Sequence, residues 1–182
     1  MNFREIKMPK SSARGIALVA IMAATIEVGK LALSFLPNIE VVTLLCALYG
    51  YVFGFYGVVA TAVFVCVEPM IYGVGTWVAT YLRYWPLVAI VFMLLGNAKI
   101  KRRIPITLIA LGLTVLFGIL SAAIDATIYG VGIGYFKNFL VYYLRGVPFY
   151  VTQLLCNAVV FPLLFLFLSK KLRSIERRFF PS

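Results

Sequence analysis

The chain has 182 residues, 63% of them hydrophobic, and a mean hydropathy of +1.01; a soluble core of this size needs far less apolar sequence, so the composition is that of a single membrane domain, 1–182. The net charge of +11 would suit nucleic acid, but the cations cluster between apolar runs and offer no continuous solvated face. Histidine is absent, which excludes serine-histidine catalysis and His-bearing zinc sites. Cys46, Cys66 and Cys156 all lie in apolar runs, where a thiol acts as a small hydrophobe and no disulfide framework is implied.

Residues 1–14 carry Arg4, Lys7, Lys10 and Arg14 ahead of an apolar run over 15–36. That run exceeds the about 7–15 residues of a signal-peptide core and meets the about 20 needed to cross hydrocarbon, so it reads as a retained first span. Pro37-Asn38 breaks it, and a second apolar run covers about 39–55, with a very short turn at Gly54-Phe-Tyr-Gly57 that predicts tightly packed antiparallel neighbours. The third span ends at Glu68-Pro69. A fourth begins within 77–86, where Pro86 suits a first helical turn, and ends near Gly96-Asn97. After Lys99-Ile-Lys101-Arg102-Arg103, a fifth covers about 105–129 and a sixth about 148–168, leading to a tail, 169–182, with Lys170, Lys171, Arg173, Arg177 and Arg178. The expected fold class is therefore all-α, a six-transmembrane-helix bundle. Basic residues concentrate in both termini and in the loop between spans four and five, which predicts both termini in the cytoplasm.

One ordered block occurs twice. Glu68-Pro-Met-Ile71-Tyr72-Gly73-Val74-Gly75 is followed by Tyr81-Leu82-Arg83-Tyr-Trp-Pro86, and Asp125-Ala-Thr-Ile128-Tyr129-Gly130-Val131-Gly132 by Tyr143-Leu144-Arg145-Gly-Val-Pro148. These read as two equivalent hairpins at the outer surface, with a local axis relating spans three and four to five and six. The remaining charges, Glu27, Lys30, Glu40, Glu68, Arg83, Asp125, Lys137 and Arg145, all map to the same outer half. An ionisable group at bilayer depth turns inward and finds a partner, so the set predicts a polar outward cavity.

Aromatic residues crowd the same hairpins: Tyr72, Trp77, Tyr81, Tyr84 and Trp85 in the first, with Tyr129, Tyr135, Phe136, Phe139, Tyr142 and Tyr143 in the second. They suit either an interfacial belt or a pocket for a flat, partly polar molecule. Two pairs, Glu68 with Arg83 and Asp125 with Arg145, read as structural latches within each hairpin or as ligand contacts. Glu27 and Lys30 share a helix face; they either neutralise one another or join Asn38 and Glu40 as the floor and rim of a site. Ala13, Ala17, Ala20 and Ala24 form one small-residue stripe on the first span, suited to packing within the bundle or to docking on another protein. The Gly50-x-x-x-Gly54 pair is a weaker signal of the same kind. No Gly-x-x-x-x-Gly-Lys-Ser/Thr loop is present, so energy for any uphill transport must come from an ion or a partner.

The alanine-rich first span, the run Pro37-Asn38-Ile-Glu40-Val-Val-Thr43-Leu-Leu leading to Gly50, Gly54 and Gly57, and the aromatic outer segments resemble the substrate-binding subunit, or S component, of an energy-coupling factor (ECF) vitamin transporter. The resemblance implies a transport subunit and not an enzyme: a multi-pass protein of a bacterial cell membrane that binds a vitamin, docks to a transmembrane coupling subunit (T component) held by two ATPases, and tips to release its ligand inside. It implies partner docking through Ala13, Ala17, Ala20 and Ala24. It also implies substrate binding among Asn38, Glu40, Glu68, Tyr72, Trp77, Tyr81, Tyr84, Trp85, Asp125, Tyr129, Tyr135, Lys137 and Arg145. The Pro-Asn start of helix two and the wide aromatic segments are most similar to cobalamin-transporting members, with riboflavin or pantothenate as alternatives, and no permanent cofactor or metal is implied. Two other classes compete: a small membrane scaffold of the cell-shape machinery, and a lipid-modifying enzyme, for which the clustered carboxylates or histidines of such chemistry are missing.

Overall fold

The computed structural model describes residues 13–36, 39, 41–130 and 134–179, and every regular element among them is helical. In chain order these are α1 (Ala13–Ala32), α2 (Val42–Phe53), α3 (Phe55–Tyr72), α4 (Thr76–Asn97), α5 (Arg103–Tyr129) and α6 (Tyr135–Val160), which runs through a π-helical turn at Phe161–Phe165 into α7 (Leu166–Phe179). Five stretches are long and apolar enough to cross a membrane: α1, α3, α4, α5 and the continuous rod Tyr135–Arg178. In length and composition the chain is a multi-pass membrane protein, since only helices satisfy every backbone group within one segment in hydrocarbon.

The exception is α2. The apolar run over 39–55 predicts a full span, yet the helix has 12 residues, about 18 Å of rise against about 30 Å of hydrocarbon. All of it except Leu45 is buried: α2 is a central strut, packed by α3 and α4 and more lightly by α1 and α7. Glycines permit this closeness. A Cβ at Gly50 would meet the Ala89 carbonyl oxygen at 2.1 Å, one at Gly57 the Tyr49 backbone at 2.2 Å, and one at Gly96 the Tyr51 carbonyl oxygen at 2.3 Å, so backbones touch where side chains would hold them apart. Gly54, the other half of the Gly50-x-x-x-Gly54 pair, faces open space at φ 61° and makes the α2–α3 turn instead.

The helices also extend past where proline suggests a start. Pro86 lies well inside α4 and Pro148 well inside α6, so the aromatic segments before them are helical and not loops. A lipid-exposed loop would leave backbone groups unpaired, and the α3–α4 connection shrinks to Gly73-Val74-Gly75, entered at φ 80°.

On α1 the buried positions are Gly15, Leu18, Met22, Ala23 and Ile26. Ala13, Ala17, Ala20 and Ala24 are all exposed, on the side of the helix away from Leu18 and Met22, so the alanine stripe takes no part in packing this bundle.

Candidate functional site

Call the upper end of the bundle the one where α1 and α3 finish and α2 and α4 begin. Because α2 starts low, a cavity of about 240 Å³ remains above it. Its rim comes from the end of α1 and the chain beyond it, Lys30, Leu33, Ser34, Leu36 and Ile39; its base is Val42, at the head of α2. The walls are aromatic: Phe64 from α3, Tyr81 and Trp85 from α4, and Phe117 from α5, with the Gln153 amide from α6.

The wall is rigid because the rings support one another. Trp77, Tyr81 and Trp85 follow at i, i+4 and i+8 on α4, with Trp77–Tyr81 and Tyr81–Trp85 meeting edge to face at 5.1 and 5.5 Å. Tyr84 packs on Trp85 at 4.7 Å and on Phe117 at 4.8 Å, distances at which aromatic pairs add about 0.5–1.5 kcal/mol each beyond area burial. Trp85 is 2% exposed and its Nε1–H has no acceptor. A buried indole donor without a partner is costly; the Trp85 ring lines the cavity while its nitrogen is closed off from solvent.

Charge enters the cavity through Lys30. Its ammonium donates to Glu68 Oε2 and lies 4.2 Å from the Tyr72 ring centroid and 5.6 Å from that of Tyr81, a cation–π arrangement. Glu68 is completely buried. Tyr72 in turn donates its hydroxyl to Glu27 Oε1 at 3.3 Å. This corrects both charge pairings read from the sequence. Glu68 pairs with Lys30 across α1 and α3 and not with Arg83, which is exposed and donates to its own helix at the Ala79 carbonyl oxygen. Lys30–Glu68 is the one salt bridge among the described residues, so Asp125 and Arg145 form no latch either: Asp125 is half-buried on α5, while Arg145 is exposed on α6. The reason is register. Helix ends in one hairpin point the acid and arginine to different sides, whereas α1 brings Lys30 level with Glu68.

Of the predicted substrate residues, Tyr81 and Trp85 line the cavity, Trp77 and Tyr84 brace them, and Glu68 and Tyr72 hold Lys30 in place. Asp125, Tyr129, Tyr135, Lys137 and Arg145 line neither this cavity nor a smaller one, about 100 Å³, between α5 and α6; all but Asp125 are exposed. Asn38 and Glu40 lie outside the described residues. Sequence reasoning left Phe64, Phe117 and Gln153 out. Gln153 carried a usable signal, an amide inside an apolar span, but a phenylalanine in such a run carries none.

No known protein family matches the chain, and neither a curated protein nor a solved structure is similar to it.

Proposed function

We propose that the chain is the vitamin-binding S component of an energy-coupling factor importer, crossing a bacterial cell membrane six times with α2 as the short central crossing, both termini cytoplasmic and the cavity facing outward. The observation that carries this reading is the cavity itself, a ring-walled site with one ammonium and one amide among its lining residues. It suits a flat heterocycle with hydrogen-bond acceptors. The exposed alanine stripe on α1 supports docking to a T component that carries the two ATPases, since close helix approach between proteins in lipid needs small side chains.

Ligand size favours the smaller vitamins. Pockets for drug-sized molecules run from about 300 Å³ upward, and 240 Å³ is close to the lower end, within reach of riboflavin or pantothenate. Cobalamin is several times larger and would need the upper helix ends to part.

Isothermal titration of the full chain in nanodiscs against riboflavin, pantothenate and cobalamin tests the reading. Binding of one member, weakened about tenfold by Trp85→Ala as a wall ring is lost, is the expected result. Co-purification from the native membrane should bring down a coupling subunit and ATPases, and Ala17→Leu should abolish that without altering vitamin affinity. Absence of binding to the whole panel, together with wall-synthesis proteins in place of ATPases, would overturn the proposal in favour of a scaffold.

A further inference from the structure

The lower end of the bundle, away from the cavity, carries two groups of cations that the function proposed above does not use. Lys99, Lys101, Arg102 and Arg103 belong to the α4–α5 connection and the first residue of α5, and all of them are exposed. Lys170, Lys171, Arg177 and Arg178 belong to α7 and are exposed too. Among the described residues Glu176 is the one acid at this end, and the one salt bridge, Lys30–Glu68, lies at the other. No carboxylate therefore neutralises either group, and like charges so concentrated repel one another unless an anion gathers among them.

One residue ties the two groups together. Tyr51, near the end of α2 and buried, donates its hydroxyl to the Ile100 carbonyl oxygen at 2.7 Å, in the middle of the first group. The guanidinium carbon of Arg173, in the second group, lies 5.1 Å from the centroid of the same ring, which also meets Phe165 edge to face at 5.2 Å. The α4–α5 connection is fixed as well. Lys99 has φ 55°, the one described non-glycine residue in the left-handed region, and the Lys99 and Ile100 amides donate back to the Gly96 and Leu95 carbonyl oxygens. Glycine is the usual residue at such a helix end and takes that conformation without strain; here a lysine holds the place and is exposed.

We propose that this surface binds the headgroups of anionic phospholipids, whose acyl chains lie against the exposed apolar side chains among the cations. α7 continues without a break from the apolar rod that begins at Tyr135, so its cations stand where a membrane span ends, the place at which basic residues are drawn to anionic lipid. Leu166, Leu168 and Leu172 pack against the core, which fixes the side α7 turns outward. On that side Phe167, Lys171, Ile175 and Arg178 follow at i, i+4, i+8 and i+11 and are all exposed, and Ile104 stands exposed beside Arg103. Nucleic acid or an acidic peptide would leave these apolar side chains in water. At a bilayer surface they reach acyl chains while the neighbouring cations reach phosphates. The inference needs only that the chain crosses a membrane, whatever the cavity holds.

Native mass spectrometry of the full chain, in neutral detergent with dioleoyl phosphatidylglycerol or dioleoyl phosphatidylcholine added, compares two headgroups on the same acyl chains. Phosphatidylglycerol should bind about tenfold more tightly. The preference should fade as ammonium acetate rises from about 0.1 M to about 1 M and the screening length shortens from about 10 Å to about 3 Å. Lys101→Ser, Lys170→Ser and Lys171→Ser combined should remove most of it, whereas Arg83→Ser, Lys137→Ser and Arg145→Ser combined, all exposed cations of the upper end, should leave it unchanged. A preference that survives the lower set, or that falls equally with the upper set, would overturn the proposal. So would displacement of the lipid by a soluble oligonucleotide at the same phosphate concentration, which would mean that phosphate alone is read. If a variant does not insert, the native chain decides: equal binding of the two lipids at low salt, or a preference that salt does not alter, overturns the assignment, and a salt-sensitive preference supports it. Because no vitamin takes part, failure of the ligand panel would leave this result intact.

Discussion

In the α3–α4 hairpin the acid of the repeated block, Glu68, is sealed against Lys30; in the α5–α6 hairpin its counterpart, Asp125, is half-buried and unbridged. Both tyrosines are exposed, but Tyr72 covers an ammonium, whereas Tyr129 meets the Tyr142 ring at 6.2 Å. Tyr81 walls the cavity, while Tyr143 stacks in line with Phe139 at 5.9 Å and Tyr150 at 5.7 Å beside the smaller void. Even the helix exits differ: Gly73 leaves α3 at φ 80°, but Gly130 leaves α5 at φ −79°. What separates the two is company. Both α1 and α2 pack on the first hairpin, whereas α5 leans on α4 and the second hairpin's lower part reaches α2 through the π turn and α7. The upper arm of α6, with Tyr135, Phe136 and Leu144, stays exposed. A sequence block therefore marks an equivalent place in the chain without fixing an equivalent environment.

Paired substitutions would break or sharpen this contrast. The largest difference is expected between two glycines: Gly96→Leu on α4 drives a side chain into the Tyr51 backbone and should cost about 3 kcal/mol. Gly112→Leu on α5 faces open space and should stay within about 0.5 kcal/mol of the native chain. Reversible unfolding in mixed micelles measures both, and equal losses would mean that the hairpins are packed alike. Next come the acids. Glu68→Ala should cost about 2 kcal/mol, with Glu27 recovering part of the lost pairing to Lys30, against under about 1 kcal/mol for Asp125→Ala; a reversed order would dissolve the distinction. The smallest contrast lies between the tyrosines. Tyr72→Leu forfeits a cation–π contact and should cost about 1 kcal/mol, and Tyr129→Leu about 0.5 kcal/mol or less, a gap resolvable by thermal melts of the two variants side by side.

Much of the helical layout was legible in the sequence. Apolar runs locate five long helices; the ends of α4 and α5 coincide with the expected Gly96-Asn97 and Tyr129, while α3 runs past the expected Glu68-Pro69 to Tyr72. The length of α2 was not legible, because a run buried on all sides and a run facing lipid are equally apolar. The same ambiguity hid the outward face of the alanine stripe: α1 is hydrophobic all round, so its pattern cannot tell core from exterior. At the site, the crowding of aromatics ahead of Pro86 is visible in the sequence, but reading the segment as a hairpin hides the i, i+4, i+8 ladder that α4 makes of Trp77, Tyr81 and Trp85. The Lys30–Glu68 pairing could not be anticipated, since it depends on the vertical register between α1 and α3, residues 38 apart in the chain, and no local pattern encodes that.

The shortness of α2 bears on how the protein is made. A 12-residue helix has too little greasy length to leave the insertion machinery for lipid unaided, and it reaches α3 through the single glycine turn at Gly54. Its place among the other helices therefore depends on α3 and α4, which bury it; a chain truncated before α4 should leave it without the cover it has in the whole protein.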